Sequence, residues 1–440
     1  MMEYKLARYN DYKDSEINCL GEVPRHWETK RIQDITTRVG DGLHSTPNYV
    51  DSSGYHFING NNLVEGRILI TENTKCISKI EFEKYKIRIS NRAILLSING
   101  TIGNLALYRN ENIVLGKSAA YINLKNMTNR RYIYFFLQSI TVLNFFATTF
   151  AGTTINNLSL KTLRTTDIPF PPLSEQKAIA DYLDTKTAQI DQKIDLLTQK
   201  ATQYGKLKQS LINETVTRGL DKTVAMKDSS VAWIGKVPEH WKIKRVKELF
   251  VESKRKSTTG EETLLSVSEY SGVTQKKDNI EKDAFLTNAT TLVGYKICRV
   301  DELVINIMLT WKRGLGVSPF DGIVSPSYAV YSPNKLTCSA YFHYLFRSER
   351  AIVEFKRNST GIIESRLRLY TDSFYALSIA IPKYEEQQAI AYYLDTKTSH
   401  IDRIIETINT QISKLKELRK SLINDVVTGK IKVTMKGEAV

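Results

Sequence analysis

The residues whose types and spacing could support catalysis are few, and each departs from the pattern its chemistry requires. Gly116-Lys117-Ser118 matches the end of a phosphate-binding loop, but the glycine needed five residues earlier is Glu111. Asp184-x-Lys186 and Asp395-x-Lys397 match part of a nuclease carboxylate–lysine motif, without the Pro-Asp that precedes it. Gly314-x-Gly316 lacks the third glycine of a dinucleotide loop. Pro171-Pro172 follows Phe170, which is not the Asn/Asp-Pro-Pro-Tyr/Phe order of an amino-methyltransferase. Cys19, Cys76, Cys298 and Cys338 are scattered, with neither zinc-ligand spacing nor a disulfide framework. His26 and His240 stand in a repeated P-x-H-W element with no second ligand nearby, so they read as structural. The sequence therefore predicts no catalytic residue, no metal site and no cofactor of its own.

Two loops carry a different chemistry. Residues 40–47 read G-D-G-L-H-S-T-P, and residues 310–316 read T-W-K-R-G-L-G. The second puts an indole and two cations on a tight turn, a set suited to phosphate and base contact. Polar tips can hydrogen-bond base edges, and Lys or Arg can bind guanine or phosphate. The expected DNA contacts are Asp41, His44, Thr46 and Asn48 in the first half, and Ser268, Trp311, Lys312, Arg313 and Ser327 in the second. Charge points the same way. The chain holds 62 basic and 47 acidic residues in 440, a net charge of +15. Most of the excess lies in 1–170 (21 basic, 15 acidic) and 229–381 (22 basic, 16 acidic). That balance favours an anionic partner and says nothing of fold.

The elements that must position these loops are written twice. A-I-A-D-Y-L-D-T-K-T at 178–187 returns as A-I-A-Y-Y-L-D-T-K-T at 389–398. Ser-Leu-Ile-Asn at 210–213 returns at 421–424, and L-G-E-V-P-R-H-W at 20–27 returns as I-G-K-V-P-E-H-W at 234–241. Two copies are too few for a solenoid, so a duplicated architecture with a pseudo-twofold axis is expected. The order is variable region (1–170), repeated segment (171–228), variable region (229–381), repeated segment (382–440). Short apolar runs such as 93–98 and 303–307 read as strands within mixed α/β regions.

Each repeated segment carries a heptad stripe. Leu183, Thr187, Ile190, Ile194, Leu197, Ala201, Tyr204, Lys208 and Leu211 step 4-3-4-3, as do Leu394, Thr398, Ile401, Ile405, Ile408, Ile412, Leu415, Arg419 and Leu422. Prolines precede both stripes, with Ser174 the expected N-cap of the first. A twofold relation between two helices of one chain makes them antiparallel. Lys208 and Arg419 interrupt the stripe at equivalent positions, which predicts a shared departure from the seam. The fold expected is α+β: two pseudo-twofold-related globular domains separated by a long antiparallel two-helix coiled coil.

The doubled V-P-x-H-W element and the proline-led E-Q-x-A-I-A-x-Y-L-D helix starts (175–184 and 386–395) resemble the specificity subunit of type I restriction–modification systems. The resemblance covers nearly the whole chain. It reaches L-L-S-V-S-E-Y-S-G-V at 264–273 and Ser325-Pro326-Ser327-Tyr328, whereas the first region has Ser118-Ala119-Ala120-Tyr121. It implies that each variable region is a target recognition domain reading half of a bipartite, asymmetric site in double-stranded DNA. It implies that the helices fix the gap, that two modification (methyltransferase) subunits using S-adenosylmethionine dock on them, and that restriction (translocase/nuclease) subunits join. Glu175, Gln176, Glu386 and Gln387, at the helix starts, are the expected partner-docking face. The expected location is cytoplasmic, with no membrane involvement. The alternative is a coiled-coil assembly scaffold that does not bind DNA, which leaves the charge on the variable regions without a purpose.

Overall fold

The computed structural model describes residues 4–17, 20–149, 156–276 and 291–435; Cys19 lies outside them. The labelled elements of the first half are β1 (Tyr4–Ala7), β2 (Thr36–Asp41), β3 (Ile94–Ser97), β4 (Leu105–Leu107), β5 (Ala119–Leu124), α1 (Arg130–Leu137), α2 (Ile140–Thr149) and α3 (Leu173–Arg218). Those of the second half are β6 (Phe250–Glu252), β7 (Leu303–Asn306), β8 (Leu315–Val317), β9 (Tyr328–Pro333), α4 (Ser339–Arg347), α5 (Glu349–Arg357), α6 (Tyr384–Val427) and β10 (Lys432–Met435). The fold is α+β, as expected. The chain forms two compact units, one of residues 1–197 with 410–440, the other of 198–409. Each long helix therefore gives its first part to one unit and its last part to the other.

The first unit is built on an antiparallel sheet in the order β4-β3-β5-β2. Ile94 faces Leu107 on one side and Ile122 on the other, and Ala120 faces Asp41. Alternate residues serve opposite faces. Ile94, Leu96, Ala120 and Ile122 join the core under α1, α2 and the long helices, while Leu95, Ala106 and Tyr121 join a second core on the other face. Both faces are covered, which is why 93–98 reads as an apolar run, interrupted only by Ser97, and not as an alternation. A second sheet lies beyond, with His56–Ile58 at its heart and one parallel pairing, Ile113 beside His56. β1 pairs antiparallel with β10, Tyr4 opposite Met435 and Ala7 opposite Lys432.

The second unit repeats this plan. Its sheet runs β6-β9-β7-β8, the same order read from the other edge. Leu303 and Ile305 face α4 and α5 with Phe342 and Phe346, while Val304 and Val330 face the other side with Cys298. Burial pushes the Cys298 thiol up to about 12, so it is an inert apolar filler.

The heptad expectation holds within each unit. Every stripe position of both helices is buried or partly buried, and most intervening positions are exposed. In the first unit Asp191 of α3 meets Arg419 of α6 at 2.9 Å, while Ile179 and Leu183 share a core with Ile423, Val426 and Val427. Partner numbers fall as helix numbers rise, so the two segments run antiparallel. In the second unit Lys208 of α3 meets Asp402 of α6 at 2.6 Å. The two ion pairs use equivalent positions of the two repeated segments. Lys208 and Arg419 therefore do not leave the seam, contrary to expectation. Their long stems stay in the stripe and their charged heads reach across to the facing helix. Ser174 is not an N-cap either: α3 begins at Leu173, and the Pro172 carbonyl accepts from the amides of Glu175 and Gln176 at 2.9 Å.

Candidate functional site

Each unit holds its globular lobe onto the helices through one carboxylate. In the first, Glu175 accepts hydrogen bonds from the Tyr9 hydroxyl, from Trp27 Nε1 at 3.2 Å and from His26 Nε2 at 2.9 Å. In the second, Glu386 accepts from Trp241 Nε1 at 3.1 Å and meets His240 Nε2 at 2.7 Å. Burial, then the carboxylate, raises the Tyr9 hydroxyl far above the ordinary tyrosine range. Both indoles are fully buried. Beside them each long helix ends on a left-handed glycine, Gly219 (φ +72°) in the second unit and Gly429 (φ +79°) in the first. A Cβ on Gly429 would sit 2.4 Å from Pro24 and 3.1 Å from Trp27, so only glycine fits there. The V-P-x-H-W element is thus the joint between the end of one long helix and the start of the other. The histidines are structural, as expected.

The exposed polar face expected at Glu175, Gln176, Glu386 and Gln387 is not found, because all four side chains turn inward. Gln176 and Gln387 are completely buried. Gln176 takes the Asn129 amide at 2.9 Å and donates to the Pro171 carbonyl at 2.8 Å. Gln387 takes the Cys338 amide at 2.8 Å and donates to the Pro382 and Leu336 carbonyls. Glu175 and Glu386 are turned inward onto the indoles. Polar residues at a helix start read as exposed in sequence, but here they satisfy the open ends of neighbouring helices and strands.

More of the repeated motif has the same purpose. Asp184 pairs with Arg131 of α1, and Asp395 accepts from the Tyr344 hydroxyl of α4 at 2.6 Å. The Asp-x-Lys resemblance to a nuclease is therefore a lobe-to-helix clamp. Asn424 takes the Thr141 amide at 3.1 Å, and Asn213 takes the Glu349 amide at 3.1 Å, so each repeated asparagine satisfies the first turn of a lobe helix. Among the described residues no group of three or more His, Cys, Asp or Glu side chains could hold a metal ion.

The expected DNA-contact residues fall on loops at the ends of the two sheets. Asp41 closes β2, and His44 Nε2 lies 2.7 Å from its carboxylate on an exposed loop. Thr46 and Asn48 are exposed on that loop, and the Asn48 amide is tethered to Glu81 at 3.0 Å. In the second unit Trp311, Lys312 and Arg313 fill the tight loop between β7 and β8. Trp311 Nε1 donates to the Met308 carbonyl at 3.1 Å, and Lys312 and Lys356 lie 4.8 and 5.3 Å from the indole centre. The left-handed residue is Arg313 (φ +62°), not a glycine, so the turn stores backbone strain. Ser268 ends a hairpin strand, and exposed Ser327 precedes Tyr328, which pairs with Asn306 where the tryptophan loop begins.

One residue missed in the sequence brings two of these loops together. Arg347, at the end of α4, donates to the carbonyls of Arg313 (2.9 Å), Leu315 (2.6 Å), Glu269 (3.0 Å) and Tyr270 (2.8 Å). One turn earlier, His343 accepts from the Val317 amide at 3.3 Å. Burial, then the neighbouring Arg313, pushes Arg347 down to about 10, and burial lowers His343 to about 4. Nothing in the local pattern of α4 marks Arg347, because its partners are 32 to 78 residues distant in sequence.

The family model for the type I restriction modification DNA specificity domain matches residues 24–202. Over 444 residues, 98% of each chain, the protein is 26% identical to the provisionally named type I restriction enzyme MjaX specificity subunit of Methanocaldococcus jannaschii. Along nearly its whole length the chain is similar to type I specificity subunits. The StySPI specificity subunit of Salmonella potsdam is 21% identical over 438 residues, covering 95% of this chain and 92% of that one. Two solved structures share the fold: a chain of a type I R-M system (TM-score 0.65, 14% identity, 92% of this chain and 98% of that one) and the HsdS subunit of Thermoanaerobacter tengcongensis (TM-score 0.52, 13% identity, the same coverage). Among the described residues no helix is long and apolar enough to cross a membrane.

Proposed function

We propose that the chain is a type I specificity subunit and reads a bipartite, asymmetric site in double-stranded DNA through target recognition domains at 1–170 and 229–381, with the segments 171–228 and 382–440 setting the gap between the half-sites. The observation that carries the reading is the duplication itself. Two basic lobes, each built on its own four-stranded sheet of matching strand order, each present an exposed polar or cationic loop, and each is fixed by a Glu–His–Trp joint to a helix pair. Asp41, His44, Thr46 and Asn48 contact one half-site, and Ser268, Trp311, Lys312, Arg313 and Ser327 the other. Phosphate neutralisation supplies most of the affinity and base-edge contacts the choice of sequence.

Two modification subunits, which bring S-adenosylmethionine, and restriction subunits assemble on this frame in the cytoplasm. With the helix starts buried, docking falls to the outer helix faces. Leu207 and Leu418 occupy equivalent positions and are 53% and 54% exposed, a matched apolar contact for two identical partners. The test of the whole reading is methylome sequencing of cells carrying the chain with its cognate methyltransferase, before and after one heptad is added to each helix. The gap should lengthen while both half-site sequences stay the same. An altered half-site with an unchanged gap overturns it. A DNA-free scaffold would show no fall in duplex affinity as salt rises, whereas each neutralised phosphate adds about 0.9 to the log–log slope.

A further inference from the structure

The chain 360–368 folds into a narrow finger beside the tryptophan loop. Its base is a two-way pairing in which the Thr360 and Arg368 amides each donate to the other's carbonyl at 2.9 Å. Just beyond, the buried Leu369 donates its amide to the Ile307 carbonyl at 3.0 Å, so finger and loop share one root. The tip carries Ile362, which is 100% exposed, and Ile363, which is 54% exposed. Two adjacent isoleucines on a protruding tip cost solubility and contribute nothing to the core.

The surroundings indicate what covers them. The segment 349–368 holds five basic and three acidic residues, and the adjoining loop adds Lys312 and Arg313. The carboxylate at the tip, Glu364, is engaged by Lys356 at 2.5 Å, and Lys356 also stands over the Trp311 indole. An apolar point framed by cations and an aromatic ring, with its acidic neighbour neutralised, suits a polyanion with an apolar interior. Stacked base pairs between two phosphate strands have that character, and proteins that kink duplexes insert apolar side chains between base steps.

We propose that Ile362, backed by Ile363, is a wedge that enters the duplex between base pairs and kinks it at the half-site read by the second unit. The proposal rests on the DNA-reading role proposed above. It adds a contribution to sequence choice from the ease of unstacking, at a step where no base edge is hydrogen-bonded.

The experiment uses the full chain with its modification subunits and a 40-base-pair duplex selected by the wild-type complex from a random pool, labelled with a donor and an acceptor at its ends. Wild type should shorten the end-to-end distance on binding. Ile362→Ser with Ile363→Ser should weaken binding by about tenfold or more, since a buried isoleucine is lost, and abolish the shortening. The salt slope should not change, because no phosphate contact is removed, and Ile362→Leu should restore the kink. The residues are exposed, so the fold is not at risk, and far-UV circular dichroism checks it. A serine pair that binds and bends like wild type overturns the wedge while leaving the DNA reading intact. A serine pair that binds duplex normally but fails to hold the modification subunits also overturns it, in favour of a protein-docking tip. A wild-type complex that selects no duplex overturns the DNA reading itself.

Discussion

Replacing Glu175 with alanine removes an acceptor shared by three donors. Trp27 is fully buried and Tyr9 nearly so, while half the His26 side chain is open to water. Each buried donor left without a partner costs about 1–3 kcal/mol, and a solvated histidine costs little. The expected loss in the first unit is therefore about 2–6 kcal/mol. Glu386→Ala orphans one buried donor, Trp241 Nε1, beside the partly exposed His240. The position matching Tyr9 is Thr223, which does not reach Glu386, so the second unit should lose only about 1–3 kcal/mol. Hydrogen exchange at pH 7, read on peptides covering 23–32 and 237–246, reports each unit separately. Glu175→Ala should loosen its own peptides more than Glu386→Ala loosens the equivalent ones. Adding Tyr9→Phe to Glu175→Ala should remove about half of the surplus exchange. Equal effects in the two units, or a larger effect at Glu386, would refute the assignment of a second buried donor to the first joint.

Three further outcomes are expected. Asn213→Ala should cost about 1 kcal/mol in urea unfolding, as loss of a helix N-cap does, and Asn424→Ala more than that, because Asn424 is buried and also accepts from the Thr141 hydroxyl at 2.9 Å. Arg347→Met leaves four carbonyls without their donor, and Arg347→Lys restores few of them because an ammonium lacks the fork; both should raise exchange in 265–275 and 307–315 together. For His343 the folded pKa of about 4 lies below the free value of 6.5, so protonation favours the unfolded chain. Its contribution is complete above about pH 6.5, declines as pH falls toward 4, and totals about 3 kcal/mol. The difference in unfolding free energy between wild type and His343→Gln should show that slope in that window, and a flat difference would count against burial as the cause.

What the sequence revealed was what repeats locally. The heptad stripes appear because an α-helix returns to the same face every three or four residues, and the strand at Ile94–Ser97 appears because both its faces are covered. The positions of Gln176 and Gln387 could not be read in that way. Polarity forecasts exposure only until a buried backbone group needs the side chain, and Asn129 and Cys338, whose amides they take, are far away in sequence. Lys208 and Arg419 misled for a related reason: a long charged side chain sits in an apolar stripe when an aspartate waits on the facing helix. The loops proposed to read DNA were found by composition, but the clamp that orders two of them, Arg347, was invisible because its partners come from two turns distant in sequence.

The pairing of β1 with β10 has a consequence for how the protein is made. The second unit is continuous in the chain and can close while synthesis is still under way. The first unit starts earlier but waits for residues beyond 410 to supply its last helix turns and closing strand. An incomplete product released during translation would therefore carry one finished unit and one open, apolar half, a species that proteolysis can recognise.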